Sequence, residues 1–229
     1  MSTFLELVQE LHREVGAAGS APSAVTSQTG EARRLVGWVK KANFDVQDMW
    51  ANWKFLRSTD ERTLTPTDNT LAAPSDFNSG MWDLDTFKII RAGDTLEEPL
   101  LGLEYEDVKT EDLDTSPGTP WRAVVMPDGS LRFEGTPDTA DTFKADYYRG
   151  PDIEELAGNA DESTIPARFH PIIIAKAMLY YANFEGAPEI KTQGLELWED
   201  YLARLENNQL PNRKHARYRT GATIQIVAE

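Results

Sequence analysis

The 229-residue chain has no cysteine, which excludes disulfides, thiolate metal sites and a thiol nucleophile. Histidine is nearly as scarce, with three at positions 12, 170 and 215 on separate segments. No Gly-x-Ser-x-Gly elbow, P-loop or Gly-x-Gly-x-x-Gly turn accompanies them, so neither a triad nor a nucleotide cradle is legible. No apolar run reaches membrane-spanning length. The start, Met1-Ser2-Thr3-Phe4, lacks the basic opening of a secretory signal; the expectation is a soluble protein made in a cytoplasm. Basic side chains are also short: 23 Lys and Arg stand against 38 Asp and Glu, a net charge of −15. General nucleic-acid binding needs the reverse balance.

The charge that is present is uneven. Residues 211–229 hold Arg213, Lys214, Arg217 and Arg219 against Glu229, net +3, leaving 19 basic and 37 acidic side chains in residues 1–210. The basic cluster precedes Ala222-Thr223-Ile224-Gln225-Ile226-Val227, which alternates like a strand. Such a tail can dock by adding to the edge of a partner's sheet, with Ile224, Ile226 and Val227 as its apolar side; the plainer alternative is a solvated basic terminus.

Periodicity predicts four helices. Thr3 and Glu6 have capping-box spacing ahead of Phe4, Leu7, Val8, Leu11 and Val15, a helix over 3–15 closed by Gly16 and Gly19. A second helix of roughly 40 Å is predicted from Gly30 to Leu56, with a stripe running from Leu35 through Val46 to Trp50 and Trp53. The third, Pro171 to Phe184, is apolar nearly all round, the mark of a central helix. The fourth opens at Pro188 and turns Ile190, Leu195, Trp198, Leu202 and Leu205 inward. Between the second and third lies β-prone sequence. Pro127-Asp128-Gly129 joins two strands as a hairpin, and Phe143, Ala145 and Tyr147 alternate with Lys144, Asp146 and Tyr148 in another. The expected fold is α+β but mainly α: a four-helix bundle built from residues 1–57 and 151–210, a β-rich insertion over 58–150, and an extended docking tail over 211–229.

Catalytic chemistry finds little support. Asp83 with Asp85, and Glu104 with Glu106, are spaced to share strand faces. A glycosidase needs its two carboxylates about 5–10 Å apart across a cleft. No catalytic residue, metal ligand set or cofactor is expected. His170, before Pro171, reads as a turn or capping residue. The tryptophans at 50, 53, 82, 121 and 198 read as core or interface anchors rather than base-stacking platforms; Trp50, Trp53, Phe169, Tyr180 and Trp198 are the expected anchors of a bundle or oligomer.

Several motifs, in order, resemble the head-to-tail adaptor (connector, tail-completion or gateway) proteins of tailed bacteriophages. They are Phe4-Leu5-Glu6-Leu7, Gly30-Glu31-Ala32-Arg33-Arg34-Leu35-Val36, Ala73-Pro74-Ser75-Asp76-Phe77, Gly118-Thr119-Pro120, Leu131-Arg132-Phe133 with Thr136-Pro137-Asp138, Tyr147-Tyr148-Arg149, and Pro166-x-x-Phe169-His170-Pro171. The resemblance runs over about residues 4–211; the stretch 91–115 is longer and more acidic than the pattern. It implies a structural virion protein and no enzyme; a virion-associated carbohydrate-active hydrolase and an acidic DNA mimic stand as the alternatives. Copies would form a homo-oligomeric ring, typically of twelve, in the virion neck between the portal protein and a tail or nozzle protein. DNA would pass through an acidic channel without specific binding.

Overall fold

The computed structural model describes residues 2–109 and 113–211. Helix α1 (Phe4–Glu14) is fixed at its start by reciprocal bonds: the Thr3 amide donates to the Glu6 carboxylate at 2.9 Å, and the Glu6 amide donates to Thr3 Oγ1 at 3.3 Å. It buries Phe4, Leu7, Val8 and Leu11. Helix α2 (Gly30–Asp48) buries Leu35, Val39, Ala42 and Val46 in the same core. It stops well short of Leu56: its 19 residues span about 28 Å rather than 40. The Trp53 indole folds back and donates to the Val46 carbonyl at 3.1 Å, occupying an acceptor that the helix end leaves open. A separate 3-10 turn, Lys54–Leu56, follows.

After the β region and a short helix α3 (Tyr105–Val108), the chain returns as α4 (Pro171–Glu185) and α5 (Pro188–Gln209). Helix α4 is the centre of this layer, packed against α1, α2 and α5. Gly186, in the left-handed conformation at φ 68°, turns the chain back. At Gly194 a Cβ would lie 3.0 Å from Leu179 and 3.4 Å from the Ala175 carbonyl, so this glycine sets the close approach of α5 to α4. Leu205 is buried, and Ile190, Trp198 and Leu202 pack at the margin of the core. Leu195, expected inside, is 41% exposed; the inward position in that turn belongs to Gly194.

The β region forms two sheets. In the first, β1 (Arg57–Thr63) pairs with β9 (Thr142–Tyr148) over seven residues, from Arg57 opposite Tyr148 to Thr63 opposite Thr142. On the far side of β9 lie β3 (Met81–Trp82) and β4 (Lys88–Ile90), and β4 carries β5 (Glu97–Pro99). The second sheet runs β2 (Thr70–Leu71), β8 (Leu131–Glu134), β7 (Arg122–Val125), β6 (Leu101–Glu104), with β6 parallel to β7. The chain steps from one sheet to the other through buried Leu100. The sheets enclose their own core. Phe87 meets Trp82 and Phe143 edge-on at 5.8 and 5.3 Å, and Phe143 meets Phe133 of the other sheet at 5.5 Å. Pro127-Asp128-Gly129 makes the β7–β8 hairpin, with Gly129 at φ 81°.

The expected mainly helical bundle is therefore corrected. Among the described residues the fold is α+β, five helices and nine strands in two sheets, with helix at 39% and strand at 19%. Helices form one layer of it, and the sheets with their separate aromatic core form another of comparable standing.

Candidate functional site

Three surfaces and one joint are candidates for assembly contacts. The joint lies where β9 hands the chain back to the helices. Its centre is Glu155, in the segment that leads from β9 to α4. One carboxylate oxygen accepts from Asn43 Nδ2 and Gln47 Nε2, both at 2.6 Å, and the other accepts from the amide (3.0 Å) and hydroxyl of Thr164. Asn43 and Gln47 are one helical turn apart on the buried side of α2. Ser163 donates to Asn43 Oδ1 at 2.6 Å, extending the network. His170 sits behind it, 2% exposed, with Nε2 2.9 Å from the Ile165 carbonyl. A carbonyl can only accept, so Nε2 carries the proton; burial pushes the imidazole's pKa below 6.5. It does not cap α4 with its side chain. Nearby, Gly80 and Gly150 let two backbone segments touch: a Cβ on Gly150 would sit 1.9 Å from the Asn78 carbonyl, and one on Gly80 2.0 Å from that of Tyr148.

The first surface is a belt of cations on aromatic rings along α2, α4 and α5. Arg34 lies over Phe184 at 4.4 Å, Lys41 over Tyr180 at 4.8 Å, and Lys176 over Trp198 at 4.7 Å. Trp38 fills the gap against Tyr181 and Phe184. Tyr180 donates its hydroxyl to Asp45, and burial raises its pKa far above the usual phenol value.

The second surface is a groove of about 510 Å³ near the C-terminal end of α5, lined by Arg168, Phe169, Tyr201, Arg204, Asn207 and Asn208. The Arg168 guanidinium stacks over Phe169 at 4.6 Å and that of Arg204 over Tyr201 at 5.5 Å. Beside it, the exposed Trp50 ring donates to Glu206 at 3.0 Å.

The third surface is the outer side of β6, where Leu101 and Trp121 are each 53% exposed. Acidic α3 follows this strand directly. Beneath it Arg122 pairs with the buried carboxylate of Glu134, and that bond holds Glu134 below the ordinary carboxylate pKa.

Of the five expected anchors, Trp53 and Phe169 are buried, Tyr180 and Trp198 half-buried on the helical core, and Trp50 exposed. The expected carboxylate pairs do not share strand faces. Asp83 precedes a 3-10 turn that contains Asp85, and Glu104 ends β6 while Glu106 lies in α3. Asp83 is held by Arg57 at 3.3 Å. The tail residues Arg213, Lys214, Arg217, Arg219, Ile224, Ile226 and Val227 lie outside the described residues. Among the described residues no group of three or more His, Asp or Glu could hold a metal ion, and no helix is long and apolar enough to cross a membrane.

No curated protein matches the chain. A family model does: the one described as SU10 adaptor protein matches residues 2–224, nearly the whole sequence. The chain belongs to the SU10 adaptor protein family, in keeping with the phage head-to-tail adaptors that its motifs resemble.

Proposed function

We propose that this adaptor is a structural component of the virion neck, assembling as a ring, of twelve copies by the resemblance, between portal and tail. The observation that carries the reading is the family match over residues 2–224. The surface supports it: the arginine groove and the Leu101–Trp121 patch expose aromatic, aliphatic and guanidinium groups, the chemistry enriched where proteins bind one another. Residues 57–150 carry 9 basic against 20 acidic side chains. Lining a channel, that excess repels the phosphate backbone and lets DNA pass without sticking. Trp50, Tyr180 and Trp198 serve as anchors at the margin of the helical layer, over Trp53 and Phe169 beneath. The tail docks on the portal protein, Arg213, Lys214, Arg217 and Arg219 steering it and Ile224, Ile226 and Val227 adding to a sheet edge.

Affinity capture of the tagged chain from a phage-producing culture tests the reading, with native mass and negative-stain images of the eluate. Rings carrying a portal-sized partner support it; a lone monomer with no virion partner overturns it. A chain ended at Leu210 is expected to fold yet fail to join the portal.

A further inference from the structure

We infer that the arginine groove at the end of α5 receives the acidic α3 turn of a second copy. The inference rests on the ring reading and names the contact within it. The groove's two guanidiniums lie over the Phe169 and Tyr201 rings, 4.6 and 5.5 Å from their centroids, so part of their side-chain freedom is already spent when a carboxylate docks. Arg204 already shares Asp200 at 2.8 Å, whereas Arg168 is exposed and has no carboxylate within 4 Å among the described residues. A lone exposed guanidinium stacked in a groove of a −15 chain is half of a charge pair.

The matching half lies on the other layer. Glu104 and Asp107, at i and i+3 across the start of α3, are exposed and lie on the same side of its single turn. The cation of this turn, Lys109, is taken by Glu106 at 2.5 Å, which leaves Glu104 and Asp107 without a basic partner among the described residues. Within its own copy α3 packs chiefly against β6 and β7, so the turn belongs to the sheets while the groove belongs to the helices. An acidic turn on one layer and a basic groove on the other, two different surfaces of one chain, make a head-to-tail contact, the kind that closes into a ring when the rotation permits. The contact also gives a role to the acidic stretch 91–115, in which the sequence departs from the pattern of adaptors that it resembles.

The absence of cysteine makes the test clean. Full-length chains carrying Asn207→Cys and Asp107→Cys are prepared separately, mixed at the concentration at which the protein assembles, and treated with a short bis-maleimide. The expected product joins 107 of one copy to 207 of the next, and neither variant alone cross-links. Arg168→Glu, at an exposed position and with an unchanged unfolding temperature, weakens assembly by about tenfold or more; adding Asp107→Arg to that chain restores it. Rings that form without the 107–207 product, or that ignore Arg168→Glu, overturn this contact and leave the ring standing. Absence of rings from both purified protein and virion necks overturns the ring reading and this contact with it.

Discussion

Asn43 of α2 donates to the Glu155 carboxylate at 2.6 Å across 112 residues of chain. That carboxylate, which also accepts from Gln47 and, on its other oxygen, from Thr164, clamps the return segment to the helical layer. Asn43 and Gln47 are 1% and 2% exposed, so water cannot replace the lost acceptor. Glu155→Ala is therefore expected to destabilise the fold by about 2–4 kcal/mol in urea unfolding. Glu155→Gln is expected to fall between, because its amide keeps one acceptor but presents a second donor to Gln47.

Gly150→Ala and Gly80→Ala test the contact between the 77–80 turn and the end of β9. In each, the new Cβ would lie about 2 Å from a carbonyl oxygen of the backbone, which cannot yield as a side-chain tip can. Losses of about 3 kcal/mol or more are expected. Alanine at Gly37 of α2, where a Cβ meets nothing within 4 Å, is the contrasting control and should gain slightly in stability. Thermal unfolding of the three variants reads the difference.

Much of this was legible in the chain. The Thr3/Glu6 box, the Asp128-Gly129 turn and the largely apolar α4 each carry their own local signature. The end of α2 was not, because Trp50 and Trp53 continue the helical spacing that the backbone abandons at Asp48. Strands β2, β3 and β5 have two or three residues each, too few to show alternation, so the β layer read as a minor insertion. Glu155 carries no signal in the chain, because its partners are more than 100 residues upstream or nine downstream and no spacing rule connects them. The groove was equally invisible, since Arg168 and Arg204 meet only when α5 folds back along α4.

Arg122→Met leaves Glu134, 2% exposed at its side chain, as an uncompensated charge. A loss of about 3–5 kcal/mol is expected, and much of it returns in Arg122→Met with Glu134→Leu. Acid should act through the same carboxylate. Arg122 holds its folded pKa below the ordinary 4.5, and bonds from Lys88 and Lys144 hold Glu97 at about 2. Folded values below the unfolded one mean stability that is complete above pH 4.5 and is lost as pH falls, for Glu97 through about pH 2. Urea midpoints measured between about pH 6 and 3 should decline, and the decline should be shallower in the Arg122/Glu134 double variant.

His170 predicts a second, milder window. Its folded pKa is below 6.5, so the unfolded chain takes up the proton first as pH falls. The stability associated with the neutral ring is intact above pH 6.5 and drops below it, by up to about 1 kcal/mol per pH unit. His170→Gln, compared with the unaltered protein at about pH 7.5 and 5.5, should show a smaller difference between the two unfolding midpoints.

The β1–β9 ladder sets the effective distance between the two halves of the helical layer. The helical layer unites segments on either side of a β region that runs from Arg57 to Tyr148, and closing so long a loop directly is slow. Arg57 and Tyr148 are ladder partners, and the Arg149 amide donates to the Leu56 carbonyl at 2.9 Å. Once those strands zip, the two halves of the helical layer become neighbours as if joined by a short connector. The loop-closure cost is thus borne once for both layers, and the seven-residue ladder is the structural tie that holds the two helical segments side by side.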